Sequence, residues 1–173
     1  SIDVQWYTPG TGSVSCRQVS PNGCDSLVDM NVLINARPSP YITGPAMACQ
    51  NLNYNYSVVP VNGNLYNWSV TGGTILNGTT TTNLSVKWDN SGPGGITLVE
   101  TTPAGCASMT SANVQVYMRP TPAISGSNVG CISPLTSRYS VMNEPGVYYL
   151  WSVTGGSILS GNGTSAIDIL WGT

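Results

Sequence analysis

Along residues 66–70 apolar and polar side chains alternate strictly, with Tyr66, Trp68 and Val70 on one phase. A period of two places those three side chains on one face of a β-strand. The same reading applies to Leu84, Val86 and Trp88, to Ile96 and Leu98, and to Val114, Val116 and Met118. Gly, Pro or Asn-Gly interrupts the chain at short intervals, and no stretch of useful length carries a helical period. The turns are Gly72-Gly73, Asn77-Gly78, Gly92-Pro93-Gly94-Gly95 and Pro103-Ala104-Gly105. Strands are predicted at 40–43, 54–59, 65–70, 74–76, 83–88, 95–101 and 111–118. A Trp on the third main strand, packed between two sheets, is the immunoglobulin-like arrangement. The expected fold is an all-β sandwich.

The alternating segments recur. SIDVQW at 1–6 returns as NLSVKW at 83–88 and as AIDILW at 166–171, at offsets of 82 and 83 residues. Pro21, Gly23 and Cys24 map onto Pro103, Gly105 and Cys106, and Arg37-Pro38-Ser39-Pro40 maps onto Arg119-Pro120-Thr121-Pro122. Ile42, Gly44 and Cys49 return as Ile124, Gly126 and Cys131, and WSVTGGTIL at 68–76 as WSVTGGSIL at 151–159. So many landmarks in register mean tandem copies of one unit of about 82 residues. The Arg-Pro-x-Pro stretches favour extended linkers and make natural boundaries. On that division 1–38 is the C-terminal part of one unit, 39–120 a complete unit, and 121–173 the N-terminal part of the next. The pattern looks cut from a longer array. Trp6, Trp68, Trp88, Trp151 and Trp171 are the expected core tryptophans of the repeats.

Composition narrows the chemistry. Only 7% of the 173 residues are charged, against 40% hydrophobic, so hydroxyls and amides must keep the surface wet. Five cations against seven acids cannot build a basic patch, which argues against nucleic acid. The chain has no His, the commonest general base and a frequent zinc ligand. No catalytic, cofactor or metal residues are therefore assigned, and the protein reads as non-enzymatic. No apolar run is long enough to cross a membrane as a helix.

The combination of WSVTGG(T/S)IL, NLSVKW, a Gly-rich turn, PAGC and RPTPAISG resembles the PKD-like repeat of Bacteroidota surface proteins. The resemblance covers essentially the whole chain. It implies a very large cell-surface protein of a Gram-negative bacterium exported by type IX secretion, as in the SprB-type gliding-motility adhesin. The aspartate-bearing turn of the eukaryotic PKD signature is replaced here by Val70-Thr71-Gly72-Gly73, so ligand roles do not carry over from distant relatives.

Five cysteines in this background suit disulfides in an oxidising compartment better than metal binding. A Cys49–Cys106 staple within one unit would close a 57-residue loop; staples across the junction, Cys24–Cys49 and Cys106–Cys131, would close 25-residue loops. Both remain open, with the within-unit pair preferred. Cys16 stands where the complete unit has Leu98 and reads as a core thiol or half of another bridge. A nucleophilic role would need an activating base that is missing. Asp89-Asn90-Ser91 reads as a polar turn rather than a calcium loop, and the Gly-rich segments as hairpins rather than phosphate cradles. Five N-x-S/T sequons and Asp25-Ser26-Leu27 are expected by chance in so much Asn, Ser and Thr. The single lysine, Lys87, disfavours isopeptide cross-links. Tyr7, Tyr117, Tyr148 and Leu150 lie on outward phases and form a candidate contact face.

The reading is a structural repeat of an extracellular adhesin or filament, serving gliding motility or attachment. Its partners are neighbouring repeats, with motility or other cell-surface proteins and surface glycans as further candidates. The alternative is a spacer or carbohydrate-binding module of a secreted enzyme. Assembly in trans between the two partial units is a third reading. The duplicated segment, Ile2–Trp6 and Ile167–Trp171, argues against it because one copy would be surplus.

Overall fold

Alternation becomes strand wherever a neighbour exists to share its hydrogen bonds. The computed structural model describes residues 1–130 and 136–172 and contains thirteen strands and no helix among them. By internal contacts it divides into Ser1–Arg119 and Pro120–Thr173.

The first unit opens on a hairpin, β1 (Gly10–Val19) and β2 (Asp25–Ile34), and continues as a two-sheet sandwich. Its strands are β3 (Met47–Cys49), β4 (Asn53–Ser57), β5 (Leu65–Thr71), β6 (Gly73–Asn77), β7 (Asn83–Trp88), β8 (Gly92–Thr101) and β9 (Ala107–Tyr117). One sheet has the order β3-β9-β8-β5, with β3 parallel to β9, and the other the order β4-β7-β6. Residues paired across strands share a face, so Trp68 meets Leu98, Val70 meets Ile96 and Tyr56 meets Leu84 on the inner surfaces. These side chains, with Val86, Trp88, Val114 and Val116, form the core.

The second unit is a single sheet of order β10-β11-β13-β12, from β10 (Ser125–Gly126), β11 (Thr136–Ser140), β12 (Gly156–Ser160) and β13 (Ala166–Trp171). Its pairings repeat those of β4-β7-β6 at an offset of 83, down to the irregularity at Ile158/Ser160 that matches Ile75/Asn77.

Three expectations need correction. Residues 1–6 carry the β7 pattern yet form no strand, and Trp6 is 39% exposed, so it is not a core residue. β7 sits between β4 and β6, and neither has a counterpart within 1–38. Residues 148–153 carry the β5 pattern and also form no strand, because the sole sheet neighbour of β5 is β8, which Pro120–Thr173 lacks. The predicted strand at 40–43 is reduced to one bridge, Thr43 to Ser57, while β3 follows it unforeseen.

Candidate functional site

The inner face of the complete sandwich is organised around Trp88, which is wholly buried. Its indole lies where a Cβ on Gly94 would come within 2.4 Å, so β8 carries glycine because a side chain there would occupy the ring's volume. Tyr56 meets the ring edge-on, with centroids 6.3 Å apart and planes at 88°, and Trp88 Nε1 donates to its hydroxyl at 3.2 Å. Burial raises the Tyr56 pKa above its ordinary value; the Trp88 hydrogen bond pulls the other way and Tyr54 adds to the rise. Trp68 is also buried and donates from Nε1 to the Thr81 carbonyl at 2.7 Å. One acid enters this interior: Glu100 is 2% exposed and accepts from Asn64 Nδ2 at 2.6 Å. The alternation assigned the aliphatic residues around Glu100 correctly but not the acid, which shares their inward phase.

The second unit repeats this half of the design with less cover. Ile167 and Ile169 are buried, whereas Trp151 and Trp171, the counterparts of Trp68 and Trp88, are only half-buried. Trp151 Nε1 donates to the Thr164 carbonyl at 2.8 Å as Trp68 does to Thr81, and Tyr139 meets Trp171 edge-on at 6.0 Å. Tyr139, Trp151, Val153, Ile167, Ile169 and Trp171 line an open groove of about 670 Å³. In the complete unit the matching side chains pack into one core with Ile96 and Leu98 of β8 and Val114 and Val116 of β9.

The cysteine staple within the unit is not formed. Cys16, Cys24, Cys49 and Cys106 are free thiols, and Cys131 lies outside the described residues. Cys49 pairs with Tyr117 at the end of β9, while Cys106 immediately precedes its start. Eleven strand residues put them roughly 35 Å apart, against the ~7 Å limit between Cα atoms of a bridge. Cys106 Sγ instead approaches the Asn35 carbonyl at 3.8 Å. Cys16 is exposed rather than a core thiol, because no second sheet covers its face of the β1–β2 hairpin.

Tyr117, Tyr148 and Leu150 are exposed to 52%, 79% and 87%. Tyr117 belongs to the first unit and the other two to the second. No group of acids and cysteines is placed to hold a metal ion among the described residues. Asp89 is engaged by Thr74 Oγ1 at 2.6 Å and Lys87 Nζ at 3.7 Å, as a polar turn requires. No helix of the described residues is long and apolar enough to cross a membrane.

A family model described as PKD-like domain matches residues 35–116 and again 118–173. Among solved structures, the chain is similar to murine CRIg, at 10% identity and a TM-score of 0.36 over 48% of this chain and 100% of that one. It is similar to murine CEACAM1b at 14% and 0.33, over 77% and 86% of the two chains. The human desmocollin-1 ectodomain matches at 14% and 0.32 over 89% of this chain, which spans 34% of the ectodomain. No curated protein matches the chain.

Proposed function

Because the chain belongs to the PKD-like domain family, we propose that it is a tandem structural segment of a large extracellular adhesin or filament. Domains of this kind are generally non-catalytic extracellular modules. The observation that carries the reading is internal. The β1–β2 hairpin and the β8–β9 hairpin share one register at an offset of 82, so one sandwich pattern is repeated head to tail with Arg-Pro-x-Pro joints. Units of that kind transmit length and tension without chemistry: each buries its own Trp-centred core, and proline-bounded joints restrict bending. Dense hydroxyl and amide cover suits a long array that carries little charge. Export to the surface of a Gram-negative bacterium by type IX secretion, and service in gliding or attachment, complete the proposal and rest on the motif resemblance to Bacteroidota repeats.

Antibodies raised against residues 39–120, applied to intact cells for electron microscopy, are expected to decorate extended surface structures. Label found only inside lysed cells, or on a host chain of a few hundred residues without further repeats, overturns the proposal. A catalytic domain in the same host chain would instead favour the spacer reading.

A further inference from the structure

We propose that the outer face of the β3-β9-β8-β5 sheet is a self-association surface, on which the same face of a second copy of this chain packs. The inference goes beyond the surface-filament reading and rests on the complete sandwich alone. There the inner phase of each strand fills the core, so the other phase of the same strands points outward by the pleat. Leu65, Met109 and Met47 stand on that phase at 70%, 71% and 66% exposure, with exposed Tyr117 at the end of β9. The strands of the opposite sheet, β4-β7-β6, show a single exposed large hydrophobic, Leu76.

Charge separates this face from its own repeat counterpart. On the β1–β2 hairpin the outward phase carries Arg17, Asp25 and Asp29, with Arg17 and Asp25 joined as an ion pair. At the offset of 82 the complete unit has Val99, Ala107 and Ser111 in their places. Three charges are thus exchanged for neutral side chains at positions that face away from the core. No charged side chain projects from the face among the described residues. Charges there would be costly to desolvate, and like charges would hold two copies apart.

The layout is self-complementary. Leu65, Val99 and Met109 form one end of the face, and Met47 and Tyr117 the other. Between them lie the hydroxyls and amides of Ser69, Thr97 and Asn113. A two-fold axis in the interface, along or across the strands, brings apolar ends onto apolar ends and polar centre onto polar centre. The edges are less open to a second copy. The Trp68 N–H on the free edge of β5 donates to the Thr79 carbonyl at 2.9 Å, and β3, at the other edge, has only 3 residues. The four strands, of 3, 11, 10 and 7 residues, cover roughly 500 Å² at ~3.4 Å rise and ~4.8 Å spacing. Two copies bury about 1,000 Å², just under the ~1,200 Å² of a stable complex, so the pair is a weak one, with a dissociation constant of about 10 µM or above.

The test is a concentration series of the full chain from about 10 µM to about 1 mM, with a thiol reductant present. It is read by sedimentation equilibrium and by NMR of carbon-13 methionine methyls. All five methionines are exposed, so each reports on its own surface. Mass should rise above that of one chain with increasing concentration. The Met47 and Met109 signals should shift in step with it, while Met30 on the hairpin and Met142 in the second unit stay fixed. Grafting the hairpin's charges onto the face, as Val99→Arg with Ala107→Asp and Ser111→Asp, should weaken association at least tenfold. Unchanged methionine signals at low concentration establish that this variant is folded. If the graft unfolds the chain, Met109→Lys alone decides, with a severalfold weakening expected. Leu76→Lys, on the opposite sheet, should leave association unchanged. A single-chain mass at every concentration overturns the proposal. So does a rise in mass in which Met30 or Met142 shifts as much as Met47 and Met109, since the contact would then lie elsewhere. Association that survives the charges in a folded chain also overturns it.

Discussion

Replacing Trp88 with Ala should remove most of the stability of the complete sandwich, whereas the same change at its repeat counterpart Trp6 should cost little. Trp88 is 0% exposed and Trp6 39% exposed, although the two occupy one position in the 82-residue repeat. A buried Trp→Ala change costs about 3–5 kcal/mol in transfer and cavity terms. The edge-on pairing with Tyr56 adds about 0.5–1.5 kcal/mol. Tyr56, 1% exposed, also loses the indole donor to its hydroxyl, so an overall loss of about 4–6 kcal/mol is expected. At about 0.05–0.15 kcal/mol per residue, a unit of this size has only about 4–12 kcal/mol in total. At Trp6 the indole keeps much of its contact with water and has no such pair, and the expected cost stays below about 1 kcal/mol. Amide hydrogen exchange, read by mass spectrometry over peptides covering β7 and β8, isolates the sandwich from the rest of the chain. Equal losses at the two positions, or a loss under about 1 kcal/mol at Trp88, would refute the assignment of Trp88 as the centre of the core.

Gly94→Ala should destabilise by about 1–3 kcal/mol or more, since the added methyl meets the Trp88 ring; urea denaturation should show a lower midpoint with an unchanged slope. Asn64→Ala leaves Glu100 buried without its donor and should cost about 1–3 kcal/mol, with Glu100→Gln in the same background restoring part of the loss by thermal melting. The Tyr56 pKa is raised from 10.0, so the folded state retains a proton that the unfolded chain loses. Its contribution is complete below that value and disappears as pH rises through the folded pKa. Stability should therefore fall on the alkaline side, and Tyr56→Phe should flatten that fall in denaturation curves taken across pH. Peptide mapping under oxidising conditions should find no Cys49–Cys106 linkage within one sandwich.

Alternation identified strands where a neighbour is present to pair with them, the edge strand β5 and the central strand β7 alike. Leu84, Val86 and Trp88 in β7 were legible because both the pattern and the neighbours β4 and β6 are present. The same pattern in 1–6 and 148–153 yields no strand, since backbone donors and acceptors need a ladder and periodicity carries no information about one. Strand order in a simple sandwich already sets the loops of Cys49 and Cys106 at opposite ends, and the length of β9 gives the distance that separates them. β3 was missed because three residues are too few to display a period. Gly12 and Gly94, 82 residues apart, were not singled out by the repeat landmarks, because only the indole lying over each shows why glycine is needed there.

We propose that residues 39–120 form a self-contained, force-bearing sandwich repeated along an extended chain. Single-molecule stretching between handles at the two termini tests it most directly. One discrete unfolding event is expected for the complete unit, with a contour gain of roughly 25 nm from some eighty residues at about 3.3–3.6 Å each. Smooth extension with no event of that length would contradict it.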